Sequence, residues 1–202
     1  MTRQLHLCAI GPHMRRLLFV LGLTACLPGR AAEHLVPPYV PRYVFLGTFV
    51  GSAVTPQLRV GWDVTALQQR GDALTVIAEI GGGYATSYPA IPREDGSTLR
   101  MNFLYQFAIV AGLGYRGDRG VLHWGIHVGL GPLFYGAHYL GEGPERRVVV
   151  TVEGRAELGY RINGKVAVGF SAGLSSPLST PSGSLAAPYV GNAILGVFAN
   201  WR

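Results

Sequence analysis

The sequence contains few charged residues and, beyond residue 25, no long apolar run. Charged side chains make up 14% of the 202 residues, against about 25% in ordinary soluble domains, whereas 49% of the residues are hydrophobic. No stretch beyond that point approaches the ~20 apolar residues that a membrane-spanning helix needs. An apolar chain of this kind must bury its side chains in a core or present them to lipid one strand at a time.

Cysteine is also scarce, since Cys8 and Cys26 are the two in the chain. Both fall in residues 1–31, which have the pattern of a secretory signal peptide. Met14-Arg15-Arg16 precedes the apolar stretch 17–25, and small residues follow it. Met14 is an alternative start. Cleavage after residue 31 leaves a mature chain without cysteine and therefore excludes disulfides.

A second interpretation of the leader concerns Cys26. Leu23-Thr24-Ala25-Cys26 resembles a bacterial lipobox, in which the cysteine would be lipidated and become the mature N-terminus. We favour simple cleavage, because a barrel that spans a membrane needs no lipid anchor. The proline-rich residues 32–42 are then expected to form a periplasmic N-terminal segment.

The formal net charge of +6 arises mostly from the leader. Four of the 17 basic residues precede residue 32, where there are no acidic residues, which leaves 13 basic against 11 acidic ones. This balance argues against nucleic acid as a partner.

A period of two in hydrophobicity runs from Tyr43 to the C-terminus. In the segment 148–161, large apolar residues alternate with residues that are mostly charged or small, which gathers the charges on one side of a strand. The pattern predicts eight strands at about 43–54, 57–67, 73–87, 98–116, 120–135, 146–161, 165–176 and 188–201.

The predicted connections alternate between short turns and long loops. The short turns are Arg70-Gly71-Asp72, Arg116-Gly117-Asp118 and Asn163-Gly164, and the long loops are 88–97, 136–145 and 177–187. Such alternation, with an even number of strands, places the short turns and both termini at one end, as in bacterial outer-membrane barrels.

The two faces of the predicted strands differ in size as well as polarity. One face is large and apolar with aromatic residues near its ends, which suits lipid, and the other is rich in glycine and polar groups, which suits a narrow interior. We therefore predict an all-β, eight-stranded antiparallel up-and-down transmembrane β-barrel over residues 43–202. A secreted or periplasmic lipocalin-like carrier of a small apolar ligand would have the opposite sense, apolar inside and polar outside.

Several charged or titratable residues are expected in the interior. They are Arg59, Asp63, Glu79, Arg100, His123, His127, Glu153, Arg155 and Glu157. A small barrel barely holds its own side chains, so we expect a structural salt-bridge network in which Arg155 pairs with one of the acids. A proton path or a small polar site is the alternative. His123 and His127 lie about 13 Å apart on a strand, too far for one metal ion, and no metal or other cofactor is predicted.

The chain resembles the small eight-stranded outer-membrane barrels of the OmpA/OmpX kind over residues 43–202. The last strand carries the best local element, because strands of this family end in an aromatic residue that the barrel-assembly machinery recognises. Here Trp201 is penultimate and Arg202 follows. The resemblance implies a monomer in the lipid of the outer membrane of a Gram-negative bacterium.

Some small outer-membrane barrels are enzymes that modify lipid A. The lipid A deacylases resemble this chain in size and use a His-x-Ser pair on the lipid-facing side, but Gly125 and Gly129 follow His123 and His127 at that spacing. We therefore expect no enzymatic activity, with a lipid-A-modifying enzyme as the alternative. A structural or surface-interaction role through the loops is expected, with an unknown surface partner.

Overall fold

A computed structural model describes residues 41–51, 53–69, 71–86, 88, 90–93 and 95–201. The predicted signal peptide, the alternative start at Met14, the possible lipidation at Cys26 and most of the segment 32–42 lie outside the described residues.

Nine strands and one short 3-10 turn account for the regular structure of the described residues. The strands are β1 (Tyr43–Val50), β2 (Val54–Gln69), β3 (Asp72–Tyr84), β4 (Ala90–Pro92), β5 (Thr98–Arg119), β6 (Leu122–Tyr139), β7 (Glu145–Asn163), β8 (Val166–Pro177) and β9 (Asn192–Trp201). The 3-10 turn is Ala187–Tyr189. In the part of the chain that the structure describes, no helix has the length and apolar character to cross a membrane.

Eight of the strands form a closed antiparallel ring. The order is β3-β2-β1-β9-β8-β7-β6-β5, and pairing of β3 with β5 closes it. The remaining strand, β4, pairs only with the start of β5. The predicted fold, an eight-stranded antiparallel barrel, is therefore confirmed.

The connections divide the barrel into a turn end and a loop end. The turn end carries the tight β2–β3, β5–β6 and β7–β8 connections with both described termini, and the loop end carries the rest. The β5–β6 turn lies at Gly120–Val121, so its prediction at Arg116-Gly117-Asp118 is wrong. Gly120, with φ of +64°, supplies the left-handed conformation that the turn needs. Gly117 is instead required because the Trp124 indole lies against its backbone and leaves no space for a side chain.

Large apolar side chains cover the outside of the ring. The most exposed include Phe170, Leu174, Leu46 and Leu130. Tyr105 and Tyr115 both face outward and are ten residues apart on β5, which is about 33 Å along the strand. At the tilt usual for such barrels this spacing corresponds to an apolar band of about 25 Å between two aromatic girdles.

A β-bulge in β5 exchanges the two faces near the loop end. Met101 pairs with Tyr139 and Phe103 with His138, so β5 has one more residue than β6 at this point. Beyond the bulge Met101 is buried inside, whereas Arg100 is exposed outside. The prediction that Arg100 lies in the interior is therefore wrong, because simple alternation does not continue through a bulge.

The mouth of the barrel at the loop end is filled by apolar residues and by the β8–β9 connection. The interior there contains Leu104, Val110, Leu133, Tyr135 and Val149, among others. Residues 178–191 fold over this cluster, with Ala186 and Val190 buried in it.

Candidate functional site in the charged interior

The charged groups inside the barrel come from strands on opposite sides of the ring. Eight of the nine residues predicted for the interior are buried there: Arg59, Asp63, Glu79, His123, His127, Glu153, Arg155 and Glu157. Arg100 is the one that lies elsewhere. A buried charge is costly unless it is paired, so the partners of each group decide what this region can do.

The first pair crosses the barrel between β2 and β7. The Arg59 guanidinium donates two hydrogen bonds to the Glu153 carboxylate, with Nη1–Oε2 at 2.5 Å and Nη2–Oε1 at 3.0 Å. Gln57 accepts from Nε and Nη2 of the same arginine at 3.1 and 3.0 Å. The guanidinium also lies 5.3 Å from the centre of the Phe49 ring. This two-pronged geometry is the strongest form of an arginine–carboxylate contact.

The second pair joins β7 to β3. Arg155 donates through Nη2 to the Glu79 carboxylate. Its guanidinium lies 5.4 Å from the ring centres of both Tyr43 and Phe45 on β1. Glu79 also lies 3.9 Å from the Arg59 Nη1, so the two arginine–carboxylate pairs form one network. Arg155 therefore pairs with Glu79, which is one of the four acids predicted for the interior.

Among the described residues, Glu157 is the acid of this central group that forms no direct ion pair with an arginine. Its Oε1 accepts a 2.7 Å hydrogen bond from the Tyr43 hydroxyl, and its Oε2 lies 3.1 Å from the Nε2 of His127. The imidazole therefore lies beside the Glu157 carboxylate without forming a hydrogen bond to it. His127 therefore lies beside Glu157, whereas His123 lies beside a different carboxylate, that of Asp118.

Nearer the turn end, Arg116 closes a third arginine–carboxylate pair that the sequence did not reveal. It donates through Nη1 to Asp63 and through Nη2 to the Thr65 hydroxyl at 2.8 Å. Asn200 on β9 donates to the same Asp63 oxygen at 3.1 Å. Arg116 was missed because the Arg-Gly-Asp pattern indicates a turn. The continuing alternation of large outward residues, with Tyr115 outside, is the signal that would have placed it inside.

The last group lies at the turn end itself. Arg161 donates two hydrogen bonds to Asp118 Oδ1, at 2.7 and 3.2 Å, and His123 Nδ1 lies 2.9 Å from the same oxygen. His123 and His127 therefore lie beside different carboxylates. Among the described residues, no group of three or more His, Cys, Asp or Glu could hold a metal ion.

The opposite end is sealed through Glu145. Its carboxylate accepts hydrogen bonds from the Ser184 hydroxyl, from the Tyr139 hydroxyl at 2.8 Å, and from the backbone N–H groups of Leu185 and Ala186 at 3.2 and 3.3 Å. Gln106 binds the other end of the same connection, since it accepts from the Gly191 N–H at 3.0 Å. The charged interior is therefore covered at the loop end by the connection 178–191, which Glu145 and Gln106 hold in place.

An apolar band outside, paired charges inside and a ring of eight strands define the architecture of small eight-stranded outer-membrane β-barrels. The structure is similar to that of the outer membrane enzyme PagL, with a TM-score of 0.50 and 17% sequence identity over 79% of this chain and 97% of PagL. It is also similar to Neisserial surface protein A (NspA), with a TM-score of 0.53 and 10% identity over 79% of this chain and 94% of that protein. No protein-family model and no curated protein sequence matches the chain. At these identities the likeness is one of fold.

Proposed function

We propose that this protein is a non-enzymatic, non-conducting integral barrel of the bacterial outer membrane with a structural or surface-interaction role. The observation that carries the proposal is the interior. Arginine–carboxylate pairs cross it at three points, and the connection 178–191 covers its loop end. Such an interior has no room for a water-filled channel.

The outer surface supports the membrane location. Large apolar side chains face outward over a band that matches a bilayer, with aromatic girdles at its edges. A lipocalin-like carrier needs the reverse arrangement, with an apolar interior for its ligand. The solved structures with a similar fold are outer-membrane proteins, which supports the same location for this chain. In that setting the turn end faces the periplasm, and the final strand offers Trp201 to the barrel-assembly machinery.

The surface of the barrel supports a role without catalysis. The lipid A deacylases use a His-x-Ser pair on the lipid-facing side, and both His123 and His127 point into the barrel. His138 faces outward, but the residue at the serine spacing is Leu140. A lipid-A-modifying enzyme is therefore the weaker candidate, and it predicts release of fatty acid from lipid A by the purified protein.

The loop end supports a surface-interaction role. Arg93, which follows β4, forms an ion pair with Glu142 in the β6–β7 connection, so the two loops are tied together. Ser97 donates from its hydroxyl and its N–H to Asp95, at 2.6 and 2.9 Å, and these bonds lower the pKa of that carboxyl. A charged surface that is held in place suits a contact with a partner, whose identity we do not assign.

Three experiments test the proposal. Membrane fractionation should recover the mature chain in the outer membrane as a monomer that carbonate does not extract, and a carbonate-soluble protein would contradict the location. Planar-bilayer recording of the purified barrel should detect no large, stable conductance, and porin-sized channels would contradict the sealed interior.

Replacing residues 93–97 and 140–144 by short Gly/Ser turns should reproduce the envelope phenotype of a deletion. Retention of the wild-type phenotype would assign the role to the barrel itself.

A further inference from the structure

The outer face of the barrel carries cationic side chains at one place near the loop end, which we call the cationic patch. It consists of Arg100 and Asn102 on β5, His138 on β6 and Arg146 on β7, and all four side chains are exposed. The bulge in β5 is what brings Arg100 to this face. From the cationic patch we infer a binding site for a phosphorylated glycolipid headgroup in the adjacent bilayer leaflet. The inference rests on the proposed membrane location.

The patch lies at the edge of the apolar band, where lipid headgroups are found. Tyr105 of the loop-end girdle pairs across the strands with Gly136, and Gly136 pairs with Arg146. Gly136 is needed here, because a Cβ atom at this position would lie 2.4 Å from the Tyr105 ring. The far end of the tyrosine ring, including its hydroxyl, therefore lies over Gly136 on β6. Cations beside an aromatic girdle are suited to the phosphate groups of lipids.

Three acidic groups that the structure describes near this end of the barrel have contacts elsewhere. Glu142 pairs with Arg93, Asp95 accepts from Ser97, and Glu145 points inward to its four donors. Neither Arg100 nor Arg146 has an ion pair or side-chain hydrogen bond among the described residues. Exposed arginines that form no ion pair with the described residues can bind an external anion, which guanidinium groups hold with two parallel hydrogen bonds.

The spacing of the two arginines favours a headgroup with two phosphates. Arg100 lies opposite Leu140, whose N–H donates to the Arg100 carbonyl, and Arg146 lies opposite Gly136. Leu140 directly follows β6 and is four residues from Gly136, about 13 Å along the strand direction. The arginines are also two strand spacings apart, about 10 Å, so their backbones are separated by about 16 Å. His138 and Asn102 lie between them and share a 3.1 Å contact. A disaccharide with a phosphate on each sugar matches this separation better than a single phosphate does.

The test uses the full mature chain in lipid nanodiscs, with diphosphorylated lipid A and the same lipid without phosphates as probes. Native mass spectrometry should show about tenfold tighter binding, or more, of the phosphorylated form. Arg100→Gln/Arg146→Gln should reduce this preference to about twofold or less. Arg119→Gln/Lys165→Gln is the matched control, because it removes two positive charges at the turn end and should leave the preference unchanged.

Other outcomes would overturn the inference. Equal binding of both lipids, or equal loss in the two double variants, would contradict a specific patch. Displacement of lipid A by about 10 mM inorganic phosphate would identify a site for free phosphate instead.

Thermal unfolding should be unchanged in each variant, since these side chains are exposed. Arg146→Gln alone should give an intermediate preference, which provides a second test if the double variant does not fold. Failure of the wild-type chain to insert into bilayers would contradict the proposed function. A chain that inserts but shows no phosphate preference contradicts this inference alone.

Discussion

Arg59 and Glu153 face each other across the interior of the barrel and form two hydrogen bonds, at 2.5 and 3.0 Å. Both side chains are buried, at 1% and 4% exposure. Taking two charges out of water is costly, and their attraction compensates only while both partners are present. The pair therefore fixes β2 against β7 and makes each residue dependent on the other.

The first prediction follows from this dependence. Glu153→Gln should lower the free energy of unfolding by about 3–5 kcal/mol, because the buried Arg59 guanidinium is left with only Glu79, which is 3.9 Å away and already paired with Arg155. Arg59→Met/Glu153→Leu should lower it much less, since no unpaired charge remains. Urea titration of the barrel in lipid vesicles measures both values. Arg119→Gln, which breaks the exposed pair with Asp72, should cost about 0–1 kcal/mol and serves as the control. Equal losses for Glu153→Gln and the double variant would contradict the coupling.

The second prediction concerns the two faces of β6. Ile126 is 53% exposed on the outer face of the barrel, whereas the neighbouring His127 is buried inside. Ile126→Arg should lower the free energy of unfolding by about 2–4 kcal/mol, because it places a charge against the hydrocarbon. His127→Asn should cost less, since it exchanges one interior polar side chain for another and places no charge against the hydrocarbon. The same urea titration measures both, and equal tolerance of the two changes would contradict the assignment of faces.

The alternation of residue types in the sequence was enough to predict the strands, the faces and most of the interior charges. Period-two patterns determine which side of a strand each residue takes, so β6 and β7 follow the prediction closely. Arg100 and Arg116 were misplaced for local reasons: a bulge shifts β5 by one residue, and a glycine that accommodates Trp124 looks like a turn. The choice of partners, such as Arg59 with Glu153, depends on the stagger of strands around the ring, which no local pattern encodes.

The third prediction tests the bulge directly. In the mature chain, which has no cysteine under the predicted cleavage, single cysteines at positions 99 and 100 report which face each residue takes. Arg100→Cys should react rapidly with a water-soluble maleimide, and Leu99→Cys, which is 4% exposed, should react slowly. Mass spectrometry of the labelled barrel in detergent gives both rates. Faster labelling at position 99 would mean that alternation continues unbroken through β5.

The fourth prediction concerns the cover of the barrel. Glu145 holds the connection 178–191 through donors on Ser184, Leu185 and Ala186. Glu145→Gln removes the negative charge that strengthens these bonds, so the connection should open about tenfold more often. Because cleavage tracks the population of the open form, limited proteolysis within 178–186 should speed up by a similar factor. Asp95→Asn, which loosens a different loop through Ser97, should leave cleavage in this segment unchanged. An unchanged rate in Glu145→Gln would mean that the buried apolar contacts of Ala186 and Val190, not the carboxylate, hold the cover in place.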